Sequence, residues 1–155
     1  MNTNQKCEYE KIIEYRECLT SFMSRYDWEW FISLNLPTSS IEDTEKYLKQ
    51  WRCKCCIKYH IQVCYMGNII PSKYRGNHLH LLMSGRNKDG KTLLDMDERE
   101  WEREWNKITH KGSYIERVRD DWIYDYINGQ KNTPVNHFEM VIPYNKNLLK
   151  KYRKY

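Results

Sequence analysis

Apolar residues recur along the chain at two spacings, one typical of helices and one typical of strands, and their order predicts the secondary structure. In residues 8–25 the apolar positions have helical spacing, which predicts an amphipathic helix packed on the domain. Residues 28–36 predict a central strand with Ser33 and Asn35 on one face. A helix that ends near Trp51 is expected next.

The second half of the chain predicts a hairpin followed by three further elements. A strand at residues 55–66 and a strand that begins near His78 are separated by a loop that contains Gly67, and this order predicts an antiparallel pair. The remaining elements are expected in the order helix, strand and helix: a helix capped by Asp95, a strand at 113–118 and a helix at 122–131.

Two histidines one residue apart are the main candidate for chemistry. On a strand, His78 and His80 point to the same face, because side chains alternate. Two neutral imidazoles placed this way suit a divalent metal ion, and they equally suit a pair of hydrogen-bonded residues on a half-exposed strand.

The hairpin register decides which side chain would join the two histidines. One register puts Gln62 opposite His80, and a slip of one residue would put Val63 there instead. Residues 54–88 contain no Asp or Glu, so no carboxylate of this hairpin completes a metal site.

Composition narrows the class of protein. A chain of 155 residues with 40% hydrophobic residues predicts one packed domain, 1–155, with an N-terminal helix at about 8–25, a core at about 28–131 and a basic tail at about 145–155. The net charge of +5 and the 14% aromatic content suit a polyanion with unpaired bases. We expect a soluble cytoplasmic protein with no membrane partner and with six free cysteines, because the sequence has neither a signal peptide nor a long apolar run.

Three short motifs, taken in order, resemble those of the HUH endonucleases, most closely the rolling-circle replication initiators (Rep proteins) of small plasmids and viruses. They are the strand Phe31–Pro37, the pair His78-Leu-His80 and the run Tyr126–Lys131. The resemblance covers roughly residues 28–131. It implies an α+β fold with a ferredoxin-like antiparallel sheet of four to five strands and helices mainly on one face. Within that sheet, His78 and His80 would lie next to the strand of Ser33 and Asn35.

The resemblance also implies an activity. Tyr126 would be the nucleophile of a DNA nicking and joining reaction that passes through a covalent phosphotyrosine. Mn²⁺ or Mg²⁺ would be held by His78, His80 and a third ligand, for which both Gln62 and Gln130 remain candidates. Replication initiators usually supply Glu or Asp as that ligand, whereas the insertion-sequence transposases supply a Gln placed as Gln130 is here.

Several alternatives stay open. Tyr124 competes with Tyr126 as nucleophile, although only Tyr126 shares a helical ridge with Gln130. Tyr114 lies on a predicted strand and is expected to pack. Single-stranded DNA or a DNA hairpin origin is the expected substrate, a host polymerase and helicase are candidate partners, and the protein would be a monomer or homodimer. A single-strand transposase and a non-catalytic nucleic-acid-binding module are the alternative functions. The candidate DNA contacts are Lys131, Asn35, Lys73 and Arg75.

Overall fold

The chain forms an α+β fold in which helices pack on an antiparallel sheet. The computed structural model describes residues 2–120, 122–128 and 137–141. In chain order the elements are α1 (Thr3–Met23), β1 (Trp30–Asn35), α2 (Ile41–Lys58), β2 (Gln62–Ile70), β3 (His78–Arg86), a short 3₁₀ helix (Leu93–Asp95), α3 (Glu98–Thr109), β4 (Ser113–Arg117), α4 (Trp122–Asn128) and β5 (His137–Val141).

The sheet places β3, the strand of the two histidines, at its centre. The strand order is β4-β1-β3-β2-β5, and each neighbouring pair is antiparallel. The predicted α+β class, the antiparallel sheet and the hairpin of β2 with β3 are therefore confirmed.

Each face of the sheet has its own core. On one face α2 and α3 bury three tryptophans, Trp51, Trp101 and Trp105, whose rings meet edge to face. On the other face lie the residues that follow α1 and the apolar side of α4, including Ile123 and Ile127. The expectation that helices cover mainly one face is wrong, because β1 and β3 present apolar residues to both sides. None of the described helices has the length and apolar character needed to cross a lipid bilayer.

Helix α2 extends further than its sequence pattern predicts. Residues 55–58 were expected in a strand but belong to the helix, whose last turn is held by tertiary contacts. Lys54 and Lys58 both bond to the buried carboxylate of Glu104 on α3, at 2.9 and 2.8 Å, and Cys55 is fully buried. Ion pairs to another helix therefore overrode the local strand-like alternation.

Because α2 runs to Lys58, strand β2 begins only at Gln62, and it runs through Gly67 instead of ending before it. A side chain at Gly67 would collide with the backbone carbonyl of His80 on β3. Glycine at this position therefore allows the backbone of β2 to lie close to the backbone of β3.

The start of α3 also differs from the prediction. Asp97, and not Asp95, caps the helix by accepting a hydrogen bond from the Arg99 backbone N–H. Asp95 instead closes the preceding 3₁₀ turn by accepting from the Thr92 N–H at 2.9 Å. The two acidic residues therefore stabilise the starts of two consecutive elements: Asp95 that of the 3₁₀ helix and Asp97 that of α3.

Candidate active site

The two histidines lie beside the polar residues of β1, as the sequence predicts. In the register of β1 with β3, Asn35 pairs with His78 and Ser33 pairs with His80. Residues that face each other across a pair of strands point to the same side of the sheet. The first motif and the histidine motif are therefore brought together on one face.

Hydrogen bonds define how the imidazoles are oriented. The Nδ1 of His78 lies 2.9 Å from the Asn35 Oδ1, so His78 carries its proton on Nδ1 and donates it to the amide oxygen. The Nε2 of His78 then keeps its lone pair. This atom lies 2.8 Å from the Nε2 of His80 and 3.0 Å from the Ser33 Oγ, either of which can donate to it.

Burial keeps both imidazoles neutral. It lowers the pKa of His78, and it lowers the pKa of His80 to about 4, with a smaller contribution from the neighbouring His78. Neutral imidazole is the form that offers a lone pair to a metal ion. The pair therefore has the protonation state that a metal site requires at neutral pH.

The shifted pKa of His80 predicts an acid-sensitive fold in metal-free protein. Below pH 6.5 the unfolded chain takes up a proton at His80 that the folded chain refuses until about pH 4. Stability is therefore retained above pH 6.5 and lost as the pH falls towards 4, by about 3 kcal/mol for this residue. Chemical denaturation in EDTA at several pH values should show this loss in wild type and a flatter profile in His80→Asn. Parallel profiles for the two proteins would contradict it.

Helix α4 brings Tyr126 to the histidines. Its ring centroid lies 5.5 Å from that of His80 and 6.1 Å from that of Phe31, and 43% of the residue is exposed. Tyr124 is only 2% exposed and lies within the core formed by α4 and the sheet. Of the two candidate nucleophiles, Tyr126 is the one beside the histidine pair.

A residue that the sequence reasoning missed connects this helix to the sheet. Asn68 on β2 pairs with His80, is 2% exposed, and donates its side-chain N–H to the carbonyl of Ile127 at 3.1 Å. This hydrogen bond connects α4 to β2 at the residue that pairs with His80. The polar residue in an apolar strand was the signal for it, but the strand had been predicted to end before Asn68.

The predicted position of Gln62 is wrong. Gln62 pairs with Arg86, whereas Asn68 pairs with His80, so Gln62 lies roughly 20 Å along the sheet from the histidines. The register differs because the strand begins later than its apolar pattern predicts. Gln130 and Lys131 lie outside the described residues. Among the residues described, no group of three or more His, Cys, Asp and Glu side chains is arranged to hold a metal ion.

Lys73 and Arg75 are exposed on the loop that leads into β3. The loop is bonded to the segment between β1 and α2 and to itself: the Ser39 hydroxyl donates to the Ser72 carbonyl at 2.6 Å, and the Arg75 backbone N–H donates to the Ser72 Oγ at 3.3 Å. Both cations therefore lie on the loop that ends at the first histidine of the pair, and their role as DNA contacts remains a prediction.

Asn35 is placed to orient His78. Its backbone carbonyl accepts from the indole Nε1 of Trp105 at 3.0 Å, and its backbone N–H donates to the Gly112 carbonyl at 3.1 Å. These two hydrogen bonds hold the backbone of Asn35 at the end of β1, between Trp105 and Gly112. Its predicted role as a DNA contact remains a prediction, whereas its bond to the imidazole is a feature of the fold.

This geometry predicts the effect of replacing Asn35. Asn35→Leu removes the acceptor for the Nδ1 proton of His78 and should weaken Mn²⁺ binding by about 10- to 100-fold, whereas Asn35→Asp keeps an acceptor and should bind well. Isothermal titration with Mn²⁺ measures this, with Asn106→Leu on the exposed side of α3 as the matched control. Equal affinities for wild type and Asn35→Leu would show that this bond does not support metal binding.

Tyr114 also differs from its expected environment. It was expected to pack in the interior, but it is 51% exposed on β4.

Comparison of the chain with protein-family models, with curated proteins and with solved structures finds no match.

Proposed function

We propose that this protein is a metal-dependent endonuclease that nicks and rejoins single-stranded DNA and so starts rolling-circle replication of a plasmid or virus. The observation that carries the proposal is the position of Tyr126, whose exposed ring lies 5.5 Å from that of His80. A phenol next to two neutral, converging imidazoles is the arrangement expected where a tyrosine attacks a phosphate.

The described residues supply two ligands for the proposed divalent metal ion, Mn²⁺ or Mg²⁺. His78 and His80 would hold it, since their Nε2 atoms converge and the Asn35 amide fixes the proton of His78 on the far nitrogen. When bound, the ion would polarise the phosphate and stabilise the charge that develops on its oxygens. A third ligand from Gln130 remains part of the proposal.

The reaction is balanced by the groups of the chain and the DNA. The phenol oxygen of Tyr126 forms a bond to phosphorus, and its proton passes to solvent, to which the ring is open. The bond from phosphorus to the 3′ oxygen breaks, and that oxygen takes up a proton. By the family resemblance, the 5′ phosphate stays on the tyrosine and the 3′ hydroxyl is free for a host polymerase. The phosphotyrosine bond conserves the energy needed for rejoining.

The topology supports assignment to the ferredoxin-like class. From β1 to β4 the element order is β-α-β-β-α-β, with the strands arranged as β4-β1-β3-β2 and the two connecting helices on one face. We propose that α1 and α4 are additions on the opposite face and that α4 contributes the nucleophile. This division explains why the candidate site lies on the face away from the tryptophan core.

A covalent-labelling experiment tests the proposed function. Purified protein is incubated with Mn²⁺ and a randomised pool of single-stranded oligonucleotides labelled at the 3′ end, some able to form hairpins, and run on a denaturing protein gel. The proposal predicts a labelled band at the mass of the protein that disappears with EDTA. Tight, salt-sensitive binding without such a band would favour the non-catalytic binding module.

A further inference from the structure

The edge strand β4 carries a tyrosine in line with the histidines. Tyr114 pairs with Ser33 of β1, and Ser33 pairs with His80 of β3. These three residues form one row across the sheet and point to the same face. Two strand spacings separate Tyr114 from His80, roughly 10 Å.

The ring of Tyr114 is held in place while much of it remains exposed. The residue is 51% exposed, and its hydroxyl donates to the Glu116 Oε2 at 3.1 Å. Glu116 is two residues further along β4, so it lies on the same face. An aromatic ring fixed by its own strand loses little conformational freedom when something stacks on it.

A cleft lies beside Glu116, the residue that accepts the hydrogen bond from the Tyr114 hydroxyl. It lies between β4 and α4 on the same face, and its lining includes Phe31, Glu116, Val118 and Ile123. The ring of Phe31 contacts both His80 and Tyr126, at centroid distances of 5.5 and 6.1 Å. The lining of the cleft therefore includes one residue that bonds to Tyr114, which is Glu116, and one that contacts both His80 and Tyr126, which is Phe31.

We propose that Tyr114 is the stacking platform for an unpaired base of the single-stranded DNA whose phosphate lies at His78 and His80. This inference rests on the proposed function. The roughly 10 Å separation equals about three nucleotides at the 3.4 Å spacing of stacked DNA and fewer in an extended strand. Exposed aromatic rings beside cationic groups are how proteins hold single strands without reading every base.

The charges around β4 are consistent with a base of the DNA, and not a phosphate, lying against Tyr114. Lys111 precedes β4 and Arg119 follows it, and both are exposed, so cations stand at each end of the edge strand. Glu116 between them would repel phosphate and would accept hydrogen bonds from base N–H groups. The bases, and not the phosphates, should therefore face the middle of β4.

A fluorescent base walked along a short oligothymidylate tests the proposal in EDTA, where no cleavage occurs. One 2-aminopurine is placed at successive positions, and its quenching and the Kd are measured for wild type, Tyr114→Ala and Tyr114→Phe. Ile57→Ala, which truncates a side chain 75% exposed on α2, is the matched control. We expect strong quenching at one position, its loss in Tyr114→Ala with roughly 5- to 100-fold weaker binding, and its retention in Tyr114→Phe and the control.

The outcomes separate this inference from the proposed function. If wild type binds the oligonucleotides and Tyr114→Ala gives the same Kd and the same quenching at every position, Tyr114 is not the platform while the nicking activity stands. If wild type binds none of the oligonucleotides and forms no covalent adduct, the substrate class is wrong and both proposals fail.

Discussion

Tyr126→Phe is expected to abolish covalent attachment of DNA while leaving the fold intact. The substitution removes only the phenol oxygen, and the ring keeps its contacts with His80 and Phe31. Without that oxygen no bond to phosphorus forms, so the labelled band should fall to background. Circular dichroism and thermal unfolding should match wild type, since the hydroxyl belongs to a residue that is 43% exposed.

Tyr124→Phe is the matched control on the same helix. Tyr124 is 2% exposed in the core on that face of the sheet, so its hydroxyl has no path to a DNA phosphate at the histidines. This variant should retain covalent labelling. Labelling that persists in Tyr126→Phe and disappears in Tyr124→Phe would overturn the assignment of the nucleophile.

Loss of the histidine pair is expected to have the second largest effect. His78→Ala combined with His80→Ala removes both nitrogens that face each other at 2.8 Å. Mn²⁺ binding should weaken by more than about 100-fold, beyond the 10- to 100-fold typical of losing an outer-shell partner. Covalent labelling should be lost as well, while single-stranded DNA still binds through the exposed cations.

A third histidine provides the control for that experiment. His60→Asn changes an exposed imidazole at the turn between α2 and β2, where φ is 52°, a conformation that asparagine tolerates. Its Mn²⁺ affinity should equal that of wild type by isothermal titration. Because His80 is buried, the single variant His78→Ala is measured alongside, with its thermal unfolding. Unchanged Mn²⁺ binding in a folded His78→Ala protein would remove the histidines from the proposed metal site.

The adjacency of β1 and β3 could be predicted from the sequence, and the hairpin register could not. Alternation places His78 and His80 on one face, and the order of motifs placed Ser33 and Asn35 beside them. The register depended on where β2 begins. That point comes after the end of α2, which contacts Glu104 of α3, a residue remote in sequence that leaves no local pattern.

The tyrosines show the same contrast between what a local pattern predicts and what depends on long-range contacts: two lie on α4 and one lies on β4. Helical spacing alone separates Tyr126 from Tyr124, because Ile123 and Ile127 define the buried side of the helix. Tyr114 was expected to pack, since nothing in the sequence shows that β4 is an edge strand with an open face. Exposure at an edge depends on strand order, which follows from long-range pairing.

The most direct test of the proposed function is to identify the residue to which the nucleotide is covalently attached. After labelling, trypsin cleavage at Arg119 and Lys131 releases a peptide, residues 120–131, that contains both candidate tyrosines with Asp125 between them. Fragmentation by tandem mass spectrometry then assigns the modified residue. We expect a nucleotide on Tyr126 and an unmodified Tyr124. A nucleotide on Tyr124, or on a residue outside this peptide, would contradict this expectation.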